Sequence, residues 1–379
     1  MQAPGDVLAA QAGGIGGNLL GGIASAVVSL GILLPLGILA LSPLGASAGP
    51  QGVRAAFVTA IVGGLVAAWV GGVEHPGSGP KTSVALIYAG FIATLLGDPR
   101  VHGPEGLALD AILLLGAACI ALAGVLQIGF SLLRLGSAAS FVPRPVVAGF
   151  MDGIAILIVL SQVETLLGIA HVAGDASPAG TGFTFGALAI GLVVAALCAL
   201  LARRWPRAPW AVAGILAGTA LYAAATSLSP DGRFGGLLGA PDAGFVPPLV
   251  LAVRGGAQIV PLLVAHAGAL VTTAVVLALI GSLDALLSAV AVDTRLNTRH
   301  DSNRLLLGLG LANLASAAAG GLPVVTSSAV QLAGHDAGGH GRPTGVICAL
   351  VLLAIALVLG PLLAHVPVAA TAGVMLVVA

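Results

Sequence analysis

This sequence predicts an all-α polytopic membrane protein arranged as two inverted halves, and three observations predict it. Hydrophobic residues make up 58% of the chain and charged residues 7%, with a mean hydropathy of +1.11, whereas an average soluble domain carries about 25% charge. Apolar runs close to the ~20 residues that cross a bilayer follow one another along the whole length. Two of those runs are cut short by Gly and Pro at corresponding places in two halves, the pattern of a binding site made from discontinuous helices.

The elements follow from these runs in order. Leu19–Leu44 and Val53–Val73 form the first two spans, and Lys81–Leu96 is a short third. Glu105–Leu135 is long enough to cross with tilt, and Val146–Gly168, Phe183–Ala202 and Pro209–Leu228 complete a first repeat over residues 1–228. A Gly- and Pro-rich connector, 229–258, divides the chain. The second repeat, 259–379, offers Ile259–Val292, Arg304–Ala319, a broken Thr326–Ala333, Val346–Leu363 and Val368–Ala379, about twelve segments in all. It stops two helices short of the first and ends at Ala379 inside an apolar run, so a fragment or a reduced protein is expected.

The two breaks carry the chemistry. At Gly320-Gly321-Leu322-Pro323 one helix ends, and Thr326, Ser327 and Ser328 supply hydroxyls where the next begins, with only one or two apolar turns before Gly334. Pro76-Gly77-Ser78-Gly79-Pro80-Lys81-Thr82-Ser83 breaks the first half in the same way. A half-helix puts its first turn at membrane depth, where unpaired amides and the positive end of the dipole favour an anion. If the N-terminus is cytoplasmic, Arg134, Arg144, Arg203, Arg204, Arg207, Arg295, Arg299, Arg304 and Arg342 fall inside, and only Arg54, Arg100, Arg233 and Arg254 fall outside. An odd number of spans per half then inverts the second half, so the two half-helix tips face each other near the midplane.

Zero net charge and the lack of a basic tail argue against a nucleic-acid partner or a polybasic membrane surface. Cys119, Cys198 and Cys348 lie in apolar helices without metal-ligand spacing and read as small buried hydrophobes. Enzyme readings are weak: Ser327 and His335 are eight helical residues apart, about 12 Å, and neither GxSxG nor HExxH occurs. Asp284 is the sharpest single residue, a carboxylate in the middle of an otherwise uncharged span that needs a cavity or a partner, with Ser288 on the same helical face. Carboxylate, hydroxyl and unwound carbonyls together suit Na⁺, a hard cation that takes oxygen ligands. His266 reads as a packed core histidine, and Asp293, Arg295, Arg299, His300, Asn303 and Arg304 as a hydrogen-bonded loop tethering the eighth and ninth helices.

GSLDALLSAVAVDTRLNTRHDSNRLLLGLGLANLASAAAGGLP (Gly281–Pro323), FVPRPVVAGFMDGIAILIVLSQV (Phe141–Val163) and the early GGNLLGGIASAVVSL closely resemble the sulfate permease, or SLC26, family of anion transporters. The resemblance covers nearly the whole chain. It implies a 7+7 inverted-repeat fold, with a core domain (segments 1–4 and 8–11) carrying substrate against a gate domain (segments 5–7 and 12), usually followed by a STAS domain. Neither a STAS domain nor the last two helices are in this sequence. Carried over, the family's anion site falls on Ser78, Gly79, Pro80 and the start of the third helix (Lys81, Thr82) and on Ser327 and Ser328 at the tenth, beside which Thr326 adds a hydroxyl of the break itself. Lys81 stands where many relatives have Thr, and Val330 where many have a basic residue, as if a cation had moved across the site. For Lys81 three readings stay open: anion contact, pairing with Asp284, and snorkelling to the interface.

For Asp284 the readings are a Na⁺ ligand, a proton carrier and a counter-ion to Lys81; the resemblance strengthens the first two. The expected function is secondary active transport of a small inorganic anion, with bicarbonate by Na⁺ symport first and sulfate or another anion by H⁺ symport or exchange second. An uncoupled channel and a non-transporting fragment are the rivals. No cofactor is expected beyond Na⁺ as the coupling ion of the first reading. A multi-pass protein of a bacterial plasma membrane, as a homodimer, completes the expectation.

Overall fold

The computed structural model describes residues 14–45, 48–98, 101–136 (without 104, 105 and 108), scattered positions between 149 and 167, then 185–205, 210–228, 234–238, 247–255 and 259–378. The fifth span expected over 146–168 falls largely outside these residues. Among the described residues, seven helical stretches are long and apolar enough to cross a membrane.

Helix α1 (Ile15–Leu41) carries Pro35 internally and passes into a 3₁₀ turn at Ser42–Leu44. The second span is α2 (Gly49–Val58), a wide π turn at Thr59–Gly63, and α3 (Gly64–Val70). A short strand β1 (Ser78–Gly79) leads into the half-length α4 (Thr82–Leu96). A small hairpin, β2 (His102–Gly103) with β3 (Gly106–Leu107), precedes α5 (Leu109–Leu132). Then come α6 (Phe185–Arg204) and α7 (Trp210–Leu228).

The connector holds a short helix that the sequence did not suggest, α8 (Pro248–Gly255). The eighth span is not continuous, as expected from Ile259–Val292, but breaks into α9 (Ile259–Ala265) and the long α10 (Ala267–Leu296). His266 occupies the break with φ −106°, ψ 10°, and its Nδ1 lies 2.9 Å from the Leu262 carbonyl. It is a buried junction residue rather than one packed within a span. Helix α11 (Ser302–Ala319) ends at Gly320, whose φ of +82° is the left-handed cap that glycine adopts without strain. Strand β4 (Val325–Thr326), the half-length α12 (Ser328–Asp336), α13 (Gly341–Leu363) and α14 (Val368–Val378) follow.

In lipid, where tails are as apolar as leucine, helices hold together by close packing rather than by removal of water. The glycines serve this purpose. A Cβ on Gly37 would stand 2.4 Å from the Gly52 carbonyl oxygen, so α1 and α2 touch backbone to backbone. Gly124 and Gly310 do the same for α5 and α11, whose contact is the most extensive among the described residues. Helix α1 packs on α2, α12 and α13; α10 packs on α4 and α5; and α6, α7 and α14 pack on one another.

Candidate anion site

Strands β1 and β4 pair antiparallel, Ser78 opposite Thr326 and Gly79 opposite Val325. Two chain segments nearly 250 residues apart therefore cross at one strand spacing, about 5 Å, and each runs straight on into a half-length helix. Because the strands are antiparallel, α4 and α12 lead away from the crossing in opposite directions and start close to it. The Ser327 amide also donates to the Gly77 carbonyl at 2.8 Å. A Cβ on Gly77 would come 2.8 Å from the Gln331 nitrogen, so the approach needs glycine there.

Neither helix start is capped by its own side chain. Lys81 (φ −136°, ψ 152°) and Ser327 (φ −113°, ψ 115°) are the N-cap residues, both extended and both without a side-chain cap hydrogen bond. The expected start of the tenth helix at Thr326 is corrected by two residues: Thr326 belongs to β4, since its backbone is committed to Ser78, and α12 begins at Ser328. First-turn amides of two helices, each tip carrying roughly half a positive charge, are thus left for another acceptor. Thr326 Oγ1 and Gln331 Oε1 are buried there and meet no protein hydrogen-bond partner, an unusual state for buried polar atoms and one that a bound ligand or water relieves.

Lys81 turns its ammonium onto α10, where Nζ contacts Asp284 Oδ1 and donates to Ser288 Oγ at 2.8 Å. Ser83, in the first turn of α4, donates to the other carboxylate oxygen, Asp284 Oδ2, at 2.5 Å. Asp284 is 2% exposed, and the Lys81 side chain remains 27% exposed. All ten residues singled out in the sequence thus lie along β1–α4, β4–α12 and the facing turn of α10. Gly79 and Pro80 are buried and serve the crossing through backbone; Thr82 opens α4.

A scaffold not read from the sequence positions the second break. Asn313 Oδ1 accepts from the Val324 amide at 2.7 Å, and its Nδ2 donates to the Val324 carbonyl at 3.2 Å and to Gln127 Oε1 at 2.8 Å. Thr59, in the π turn, accepts from the Leu322 amide at 2.5 Å, and the Ser316 hydroxyl donates to the Leu322 carbonyl at 2.7 Å. On α1, Ser25 donates to the Val330 carbonyl at 3.0 Å. The signal was present in the buried polar residues of otherwise apolar spans, but their partners are remote in sequence.

The loop between α10 and α11 is a network centred on Asp293, while Arg295, expected within it, reaches Asp336 on α12 at 3.5 Å instead. Asp293 accepts from Thr298 Oγ1 at 2.7 Å and from the His300 amide at 2.9 Å, with His300 Nδ1 at 2.7 Å. Arg304 Nε donates to the Val70 carbonyl at 3.0 Å, binding α11 to α3. His300 Nε2 lies 3.1 Å from Ser302 Oγ, the order of a hydrolytic triad. Asp301, however, accepts from the amides of Asn303 and Arg304, so those two donors at the adjacent helix start are already taken and do not serve an oxyanion. Near the same loop, His75, His335 and His340 stack edge to face with centroids 4.7–5.4 Å apart.

Broken helices crossing at mid-length, inside a bundle of bilayer-length apolar helices, define a membrane protein of the inverted-repeat transporter class. The match to the sulfate permease family runs over residues 15–379, and the chain belongs to that family. It is 30% identical to YvdB, a Bacillus subtilis protein named for sulfate transport, over 96% of this chain and 63% of that one. It is also 30% identical to the bicarbonate transporter BicA of Synechocystis, over 94% of this chain and 59% of that one. The chain therefore spans about 60% of the length of these relatives. Among solved structures, the transmembrane domain of a cyanobacterial BicA superposes with a TM-score of 0.74 at 28% identity, over 96% of this chain and 86% of that one. SLC26A9 shares the fold, with a TM-score of 0.70 at 19% identity over 95% of this chain and 56% of that one.

Proposed function

We propose that this chain carries a small inorganic anion across a bacterial plasma membrane, bicarbonate as first choice and sulfate as second. The observation that carries the reading is the β1–β4 crossing, which sets two uncapped helix starts beside the Lys81 ammonium in a place largely shut off from water. Dipole tips, an ammonium and the hydroxyls of Ser78, Thr82, Thr326, Ser327 and Ser328 replace the hydration shell of an oxyanion. In this reading α1–α5 with α10–α13 form the cargo-bearing core domain, and α6, α7 and α14 belong to the gate domain against which it moves. The N-terminus is cytoplasmic, because that orientation puts the Arg295–Arg304 loop inside. Resemblance to BicA favours bicarbonate, and Asp284 with Ser288 is the cation-facing pair of the site.

Uptake and counterflow of radiolabelled bicarbonate and sulfate into vesicles reconstituted with purified protein test this. Saturable counterflow of either anion, inhibited by the other, is the expected result. A linear, unsaturable flux that never supports counterflow would indicate a channel, and no flux at all would leave the anion carrier without support.

A further inference from the structure

The groups best suited to hold a coupling cation already hold one that belongs to the chain. Asp284 Oδ1 contacts the Lys81 ammonium and Oδ2 accepts from Ser83, while Ser288, the hydroxyl one helical turn further along α10, accepts from the same ammonium. A metal ion placed between Asp284 and Ser288 would have to displace the Lys81 nitrogen or sit next to it, against like-charge repulsion that low-polarity surroundings intensify. An ammonium has three N–H donors and no acceptor. Two are engaged on α10, and the side chain is 27% exposed, so one donor is left to turn towards the crossing where the helix starts converge.

We propose that Lys81 is the resident cation of this site. It fills the position a transported Na⁺ would take, neutralises Asp284 in every state, and offers its remaining donor to the bound anion. This rests on the anion-carrier reading above and departs from Na⁺ symport: the chain moves its anion by exchange or facilitated flux that does not depend on sodium. A transported ion leaves with its cargo, but a tethered ammonium cannot. Lys81 is thereby the residue that sets cation dependence, and Asp284 with Ser288 forms a latent Na⁺ site exposed only when the lysine is shortened.

The test replaces Na⁺ by N-methyl-D-glucamine, a cation too large for the position. For the wild-type chain, counterflow is expected to change less than twofold and the thermal unfolding midpoint to stay put. Lys81→Ala, or Lys81→Thr if the alanine variant does not fold, is expected to gain a saturable stabilisation by Na⁺ of several degrees, and Asp284→Asn in that background should remove it. Lys81→Arg should remain indifferent to sodium. A tenfold Na⁺ dependence of wild-type counterflow, a sodium-induced melting shift in wild type, or sodium indifference in the shortened variant would each overturn the assignment. If wild type carries neither anion, the carrier reading fails on its own, and the melting experiments still decide whether Lys81 occupies a cation position.

Discussion

The two breaks in this molecule look alike in sequence and are built differently. The first, around Ser78–Ser83, is held by charge: Lys81 and Ser83 fasten α4 to Asp284 on α10. The second, around Pro323–Ser328, is held by neutral polar groups that grip backbone, with Asn313 on Val324 and Thr59 and Ser316 on Leu322. Among the described residues the strand pair, the adjoining Ser327–Gly77 hydrogen bond and the close packing of Gly77 on Gln331 knit them directly. The comparison teaches a division of labour. One side supplies the electrostatics of the proposed seat and the other fixes its shape.

The largest effect is expected from breaking the shape-giving side. Asn313→Ala strips partners from the buried Val324 amide and carbonyl and from Gln127, and an unsatisfied buried group costs about 1–3 kcal/mol. A fall in melting temperature with loss of anion binding in the surviving folded protein is the expected outcome. Unchanged binding would mean that β4 is held by its strand partner alone.

Acid should act next, through the histidines that lie beside both breaks. His75, in the loop between α3 and β1, has its pKa lowered to about 4, chiefly by burial and then by His335 and His340. Its folded value lies below the ordinary 6.5, so the unfolded chain binds more protons in that window, and stability is complete above about pH 6.5 and lost as pH falls towards 4. The loss is at most about 3–4 kcal/mol at 1.36 kcal/mol per unit, most of it reached by pH 4.5. Melting curves from pH 7.5 to 4.5 should show it, and His75→Gln should flatten the profile.

Smaller, and confined to the crossing, is Gly77→Ala. Its methyl would press on the Gln331 nitrogen, an overpacking of about 1–3 kcal/mol, and weaker anion-induced stabilisation should accompany the lowered melting point. The smallest effect on folding belongs to the charged side. Lys81→Ala in sodium-containing buffer is expected to weaken anion binding about tenfold, roughly 1.4 kcal/mol, while folded yield changes less than twofold. Collapsed yield with normal binding in the remainder would make the lysine a structural strut and remove the contrast between the two sides.

How far this was legible in the sequence follows the same line. Glycine and proline end helices by local rules, so both breaks and most span limits could be read within a few residues, as could the buried place of Asp284 and the end of α11 at Gly320. What joins the breaks could not. Two-residue strands have no period to detect, and Thr326 therefore read as a helix start when it is a strand residue. The Asp284 partner was left among three readings because Lys81 lies 203 positions away. The interruption at His266 is flanked only at a distance by Pro261 and Gly268, and the π turn at Thr59–Gly63 carries only the Gly63-Gly64 pair, which in so glycine-rich a chain marks nothing by itself.

The bond from Ser83 to Asp284 has one more consequence. It ties the first turn of the short α4 to the middle of α10, the longest helix among the described residues, so the α4 amide tip and the ammonium are fastened to that helix as one unit. In the carrier proposed above, choice among anions is then set by the dimensions of a preassembled receptacle, and a passenger too large for it gains nothing from the proposed motion.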